Sequence, residues 1–294
     1  MSKQPIDVSG RVVAITGGAR GIGLATASAL RAAGARVAIG DIDGDEAIRA
    51  AHGLGPDVLA GKLDVSDEGS FRDFLALVER ELGPLDVLIN NAGIMPIGPF
   101  LQESAATAKR VFDIDVLGVM TGMRLALPGM LGRRRGHIVN VASIAGKAPV
   151  PGGISYAAAK AAVVSLTESA RVEFAGQGID FTCVMPSFTA TELIAGTKGT
   201  KFVPTVKPQD VAGAIAAAVA KPAYDVFVPS SVGVIAKTSP FLGRKLRDKI
   251  NHALGADRTF LDIDQGARAA YDARIKPPVE ASEAPAPEPS DVSV

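Results

Sequence analysis

Short apolar runs rich in β-branched residues alternate with longer amphipathic segments along most of this chain, and that alternation limits the fold more than any single motif does. Strand-like runs fall at 11–15, 36–40, 58–63, 85–89, 137–141, 179–185 and 225–228. Helical periodicity fills 21–33, 43–52, 68–82, 103–131, 155–175 and 209–220. Runs such as Leu85-Asp86-Val87-Leu88-Ile89 are nearly continuous in apolar character, as in parallel strands covered on both faces. Parallel neighbours need helical crossovers, which are right-handed, so the expected fold is α/β: a doubly wound parallel sheet in a three-layer αβα arrangement. The 294 residues then divide into one domain over 1–230, a helical extension over 231–275 with a basic cluster at 244–249, and a tail over 276–294. The tail is rich in Pro, Glu, Ala and Ser and lacks apolar periodicity, so it is expected to be disordered.

Such a sheet binds its ligands at the carboxyl ends of its strands, and the residues at those ends carry the chemistry. Thr16-Gly17-Gly18-Ala19-Arg20-Gly21-Ile22-Gly23 leaves the first strand and opens the first helix. Glycines there allow a tight turn and a close approach to a pyrophosphate, whose charge meets the helix N-terminal amides. Asp41 ends the second strand, where a carboxylate can accept hydrogen bonds from adenosine ribose hydroxyls and would repel a 2′-phosphate. Arg20 pulls the other way, because a cation in the glycine turn could meet that phosphate. A turn or helix-cap role for Asp41 is the structural alternative.

Tyr156 and Lys160 are four residues apart, which on a helix puts an ammonium beside a phenol. A neighbouring cation favours the phenolate and lowers the phenol's pKa toward the working range of a proton donor or acceptor. Ser143, after the fifth strand, could hydrogen-bond the same substrate oxygen. A solvated helix face would show the same Tyr-to-Lys spacing, so the pair carries weight only with the other motifs.

Taken together, the glycine turn, Asp64-Val65, Asn90-Asn91-Ala92-Gly93, Ser143, Tyr156-x-x-x-Lys160 and the loop Pro186 to Thr191 occur in the order found in the short-chain dehydrogenases/reductases. The chain resembles the single-domain branch of that family over about residues 8–230, which implies a Rossmann fold. The resemblance implies that Gly17, Gly21, Ile22 and Gly23 cradle a dinucleotide, with NAD as cofactor, and that Asp64 and Val65 hold the adenine. Asn91 would brace the sheet and Lys160 would bond the nicotinamide ribose. Thr189 and Thr191 would touch the carboxamide, Tyr156 would exchange the proton, and Ser143 would orient the substrate. Two positions depart from the family pattern. Asp115 stands where an asparagine commonly supports a water chain behind the lysine, and Ser187 stands where glycine is more usual.

The loops expected over the nicotinamide contribute Met95, Ile97, Phe100, Val150, Phe188, Leu193 and Ile194, with Lys147 as the main charge of the middle segment. They favour a bulky apolar alcohol or ketone, such as a steroid, retinoid or long-chain carbinol, over a sugar or hydroxy acid. An NADP-dependent carbonyl reductase and a non-catalytic NAD-binding regulatory protein are the alternatives. Thirty-one basic residues balance thirty-one acidic ones, so no overall field recruits nucleic acid, and Arg133-Arg134-Arg135 reads as a solvated helix end. The single cysteine, Cys183, excludes a disulfide framework and a cysteine-based metal site. With no apolar signal core at the N-terminus, a cytoplasmic protein is expected. A homo-oligomer, dimer or tetramer, is expected to form through the helices at 103–131 and 155–175. The segment after Val234, where apolar and basic residues mingle, could instead lie on a membrane surface, though a helix packed on its own domain or on a partner subunit fits it better.

Overall fold

The computed structural model describes residues 6–197, 199, 205–238, 241–255 and 258–276. Its elements run β1 (Val12–Thr16), α1 (Gly21–Ala32), β2 (Arg36–Asp41), α2 (Gly44–Leu54), β3 (Leu59–Lys62), α3 (Glu68–Leu82), β4 (Val87–Asn90), α4 (Ala105–Phe112), α5 (Gly118–Gly132) and β5 (Gly136–Val141). Then follow α6 (Ile154–Glu173), β6 (Ile179–Pro186), α7 (Pro208–Ala220), β7 (Asp225–Val228), α8 (Ser230–Thr238), α9 (Arg244–Leu254) and α10 (Gln265–Ile275). The seven strands form one parallel sheet in the order β3-β2-β1-β4-β5-β6-β7. Strand order reverses between β1 and β4, and this opens a crevice at their carboxyl ends.

The period of two in the strands divides the core between the two faces. Val12 and Ala14 of β1 join Phe71, Val78, Met123 and Val163 on the side of α3, α5 and α6. Val13 and Ile15 join Leu30, Val37, Val211 and Ile215 on the side of α1 and α7. Burying each Val, Leu, Ile or Phe side chain stabilises the fold by about 1.5–3 kcal/mol, so both faces are needed. Helix starts are set locally. Asp43, Asp67, Ser104 and Asp264 accept the amides of Glu46, Ser70, Thr107 and Ala267 at the N-termini of α2, α3, α4 and α10.

One expectation needs correction. The single helix expected over 103–131 is interrupted by a π-helical turn, Asp113–Leu117, between α4 and α5. A single i+5 turn shifts the apolar stripe only locally, so a helical pattern read over the whole stretch runs through it. The stretch Ala105–Gly132 is also long and apolar enough to cross a membrane, yet half of its most apolar window is buried in the fold, as in a core helix. The extension after 230 forms three helices, and the last, α10, packs against the loops at the carboxyl ends of the strands. The tail at 276–294 lies outside the described residues apart from Lys276.

Candidate active site

At the switch point a cleft of about 650 Å³ runs from the glycine turn to the start of α6. Its dinucleotide end is shaped by backbone. Gly17 has φ +61°, and a Cβ there would lie 2.9 Å from Ala92 Cα; a Cβ on Gly23 would lie 2.1 Å from Gly17 O. Only glycine lets the turn fold this tightly onto the end of β4. Asn91 locks the junction, its side-chain amide donating to Thr16 O at 2.9 Å and Gly17 O at 3.0 Å. The first turn of α1 has no side-chain cap, so its amides face the cleft with anion-binding capacity intact.

Asp41 lines the cleft and accepts the amides of Ala19 at 3.1 Å and Asp43 at 3.2 Å. Arg20 also lines it, but its guanidinium is held by Asp43 at 2.8 Å and Glu46 at 3.7 Å. The cation is already matched by two carboxylates. Asp64, Val65, Thr189 and Thr191 border the same space. Asp64 is partly engaged by the Ser66 amide and hydroxyl, at 2.9 and 2.6 Å. Gly21, Ile22 and Asn91 complete the wall, whereas Gly23 lies beneath it.

At the far end Ser143, Tyr156 and Lys160 meet. The Lys160 ammonium is 5.6 Å from the centre of the Tyr156 ring, donates to Val141 O at 3.2 Å, and pairs with Asp115 Oδ2 at 3.0 Å. Asp115 is fully buried on the π-helical turn, and its Oδ1 accepts the Ile94 amide at 2.8 Å. Asp115 therefore contacts the lysine directly, and it stands behind the cleft wall. Gly93 makes room for the pair, since a Cβ there would lie 2.8 Å from Asp115 Oδ2 and 3.2 Å from Lys160 Nζ. Burial opposes the Lys160 charge, but Asp115 and Tyr156 outweigh it and hold its pKa above the ordinary lysine value. Burial raises Asp115 against the pull of Lys160. Tyr156 is raised too: burial dominates, Lys160 and Ser143 pull it down, and Asp115 pushes it up. The expected lowering by Lys160 is present but does not prevail. Ser143 Oγ accepts the Ala145 amide at 3.1 Å at the start of the turn Ile144–Gly146.

Residues 11–201, which hold all of these groups, match the family model for short chain dehydrogenases. The chain belongs to the short-chain dehydrogenase family. It is 42% identical over 189 residues to the cis-4-hydroxycyclohexanecarboxylate dehydrogenase of Sinomonas cyclohexanicum, covering 63% of this chain and 76% of that one. It is 39% identical over 180 residues to the galactitol 2-dehydrogenase of Agrobacterium fabrum, covering 61% and 70%. A short-chain dehydrogenase/reductase of Burkholderia phymatum, solved in complex with NAD, superposes with a TM-score of 0.73 at 26% identity, over 79% of this chain and 93% of that one. This short-chain dehydrogenase is thus an oxidoreductase of CH–OH groups that uses a nicotinamide dinucleotide.

The substrate end of this short-chain dehydrogenase includes residues that the sequence pattern did not single out. Met95, Val150, Phe188, Leu193 and Ile194 line the cleft as expected, and Ile97 packs behind them. Phe100 does not; it is more than half exposed on a turn away from the cleft, and Lys147 is exposed as well. The C-terminal extension supplies Val232, Ile235, Phe260, Tyr271, Arg274 and Ile275 instead. Phe260 stacks on Phe188 with ring centroids 5.5 Å apart. The capping aspartate at 264 and the apolar positions of α10 were legible signals of a helix; its destination was not.

Proposed function

We propose that this protein is an NAD-dependent dehydrogenase interconverting an alcohol and a ketone or aldehyde on a bulky apolar substrate. The observation that carries this reading is the convergence, in one cleft, of Tyr156, Lys160 and Ser143 with Asp41 and the uncapped start of α1. NAD, when bound, accepts or gives the hydride. The glycine turn and the α1 amides hold the pyrophosphate, Asp41 takes the adenosine ribose hydroxyls, and Asp64 and Val65 border the adenine. Lys160 bonds the nicotinamide ribose, and Thr189 and Thr191 meet the carboxamide. Ser143 orients the substrate oxygen, and Tyr156 takes or returns its proton.

Preference for NAD is supported by Arg20, whose charge is met by Asp43 and Glu46, and by Asp41, which would face a 2′-phosphate. The apolar wall of Met95, Phe188, Leu193 and Phe260 supports a bulky apolar substrate, although the two relatives are named for cis-4-hydroxycyclohexanecarboxylate and galactitol. A homo-oligomer is part of this reading. Phe112, Leu117, Ile154 and Val172 are exposed along the helical stretch from α4 to α5 and on α6, and light scattering after gel filtration measures the assembly.

The test is a panel of alcohols and carbonyl compounds with NAD(H) and NADP(H), followed by absorbance of the reduced nicotinamide. Turnover with NAD on apolar alcohols is expected. A preference for NADPH, or turnover restricted to polyols, would overturn the cofactor or the substrate part of the reading.

A further inference from the structure

Two consecutive amides of the loop after β4 are tied to opposite sides of the cleft. Ile94 N donates to Asp115, behind Lys160, and Met95 N donates to Tyr271 Oη of α10 at 2.9 Å. Tyr271 is 5% exposed and lines the cleft that holds Tyr156. Its oxygen accepts from Met95, so its own O–H is left to donate. Among the described residues no acceptor for that hydrogen is present, and a buried donor without an acceptor is unfavourable. Burial also keeps the phenol protonated well above the usual tyrosine range, so it remains a donor at working pH.

The rest of α10 holds this phenol in place. Arg268, with no exposed surface, donates to Leu193 O at 2.8 Å, to Ala195 O at 3.3 Å and to Met95 O, and pairs with Asp272 at 2.8 Å. Its guanidinium lies 4.7 Å from the centre of the Tyr271 ring, and Arg274 lies 5.4 Å from it. Arg274 in turn pairs with Glu192 on the facing loop. Rotation of the phenol would break these contacts. Tyr271 is thus a rigid, neutral donor in a wall whose other polar groups here, Arg274 and Glu192, are paired with each other, on a helix outside the 11–201 region shared with the family.

We propose that Tyr271 is a specificity-determining residue that donates a hydrogen bond to a second oxygen of the substrate, distant from the carbon oxidised. The substrate class is then an apolar skeleton bearing two oxygens: the alcohol or carbonyl that reacts at Tyr156, and a hydroxyl, carbonyl or ether oxygen read by α10. A site built to hydrogen-bond such an oxygen discriminates strongly against an analogue lacking it. This inference rests on the dehydrogenase reading of the same cleft.

The experiment compares matched alcohols with NAD: cyclohexanol with 1,4-cyclohexanediol, and 5α-androstan-3α-ol with 5α-androstane-3α,17β-diol. The wild-type enzyme is expected to favour the two-oxygen member of at least one pair in kcat/KM. Tyr271→Phe should reduce that preference about tenfold, mainly by raising KM for the two-oxygen member; because it also removes the acceptor of the Met95 amide, a smaller loss common to both members is expected. Equal losses on both members of a pair, an undiminished preference in Tyr271→Phe, or no preference and no turnover in the wild-type enzyme would each overturn the proposal. NADH titration by its own fluorescence separates the two failures. Tight NADH binding without the preference refutes the role of Tyr271 alone, whereas absent NADH binding refutes the dehydrogenase reading beneath it.

Discussion

Lys160 Nζ lies 3.0 Å from Asp115 Oδ2 with both side chains shielded from water, so the lysine beside Tyr156 carries its own buried counter-ion. Asp115 raises the pKa of Lys160 and of Tyr156 alike. Asp115→Asn preserves an acceptor for the Ile94 amide while removing that charge. It should retain turnover, with the alkaline limb of alcohol oxidation displaced to lower pH. Asp115→Leu leaves the ammonium buried and unpaired, at a cost of about 3–5 kcal/mol in stability. The pH dependence of kcat and thermal melting read the two effects; coincident profiles for wild type and Asp115→Asn would remove the aspartate from the proton chemistry.

Tyr156→Phe removes only the hydroxyl from a buried ring at the cleft. Turnover is expected to fall by about 10² or more, the scale of a lost general acid or base, with NADH affinity unchanged. Near-normal rates in a steady-state assay would sink the assignment.

Cofactor choice is set by charge at the end of β2. Asp41→Ala should narrow the gap between NAD and NADP by lifting repulsion. Adding Asp43→Asn should narrow it further, because Arg20 then loses its 2.8 Å partner while the asparagine still caps α2. The ratio of kcat/KM for the two cofactors measures both steps, and a double variant no different from Asp41→Ala would leave Arg20 without a role.

Gly93→Ala tests whether the ion pair depends on a missing side chain. The added Cβ would fall 2.8 Å from Asp115 Oδ2 and 3.2 Å from Lys160 Nζ, so the buried pair must shift to admit it. A lower melting temperature together with reduced kcat is expected; unchanged values for both would show that the pair accommodates a methyl group.

Arg268 is a positioning residue for the substrate loops. Arg268→Ala deprives Met95 and Leu193 of a donor and should cost about 2–4 kcal/mol, seen in denaturant unfolding. It should also raise KM for the alcohol while NADH affinity holds, and Arg268→Lys should recover part of the loss. An unchanged KM would confine the arginine to a purely structural role.

Much of this protein is determined locally. Continuous apolar strands, capped helices and glycines at tight turns are properties of short stretches, so the sequence alone determined the parallel sheet, the positions of its crossovers and the cleft's location at the switch point. The residues that enter the cleft from strand ends, Asp41, Asn91, Ser143, Tyr156 and Lys160 among them, were legible for the same reason, because an element's end fixes where its next residues point. Three features were not. The π-helical turn under Asp115 is a single wide turn inside a long helical pattern, too local to be read from periodicity, and the direct pairing of Asp115 with Lys160 depends on it and on the packing of two distant helices. The rise of the Tyr156 pKa depends on burial and on a charge forty-one positions away in the chain, whereas the spacing of Tyr156 and Lys160 reports only their mutual attraction. The return of α10 to the active site rests on Arg268 and Tyr271 meeting carbonyls and an amide more than seventy residues distant, and contacts of that span leave no local pattern. Local propensity chose the elements; the energetics of burying charges and donors together, which exists only in the assembled fold, chose what the cleft contains.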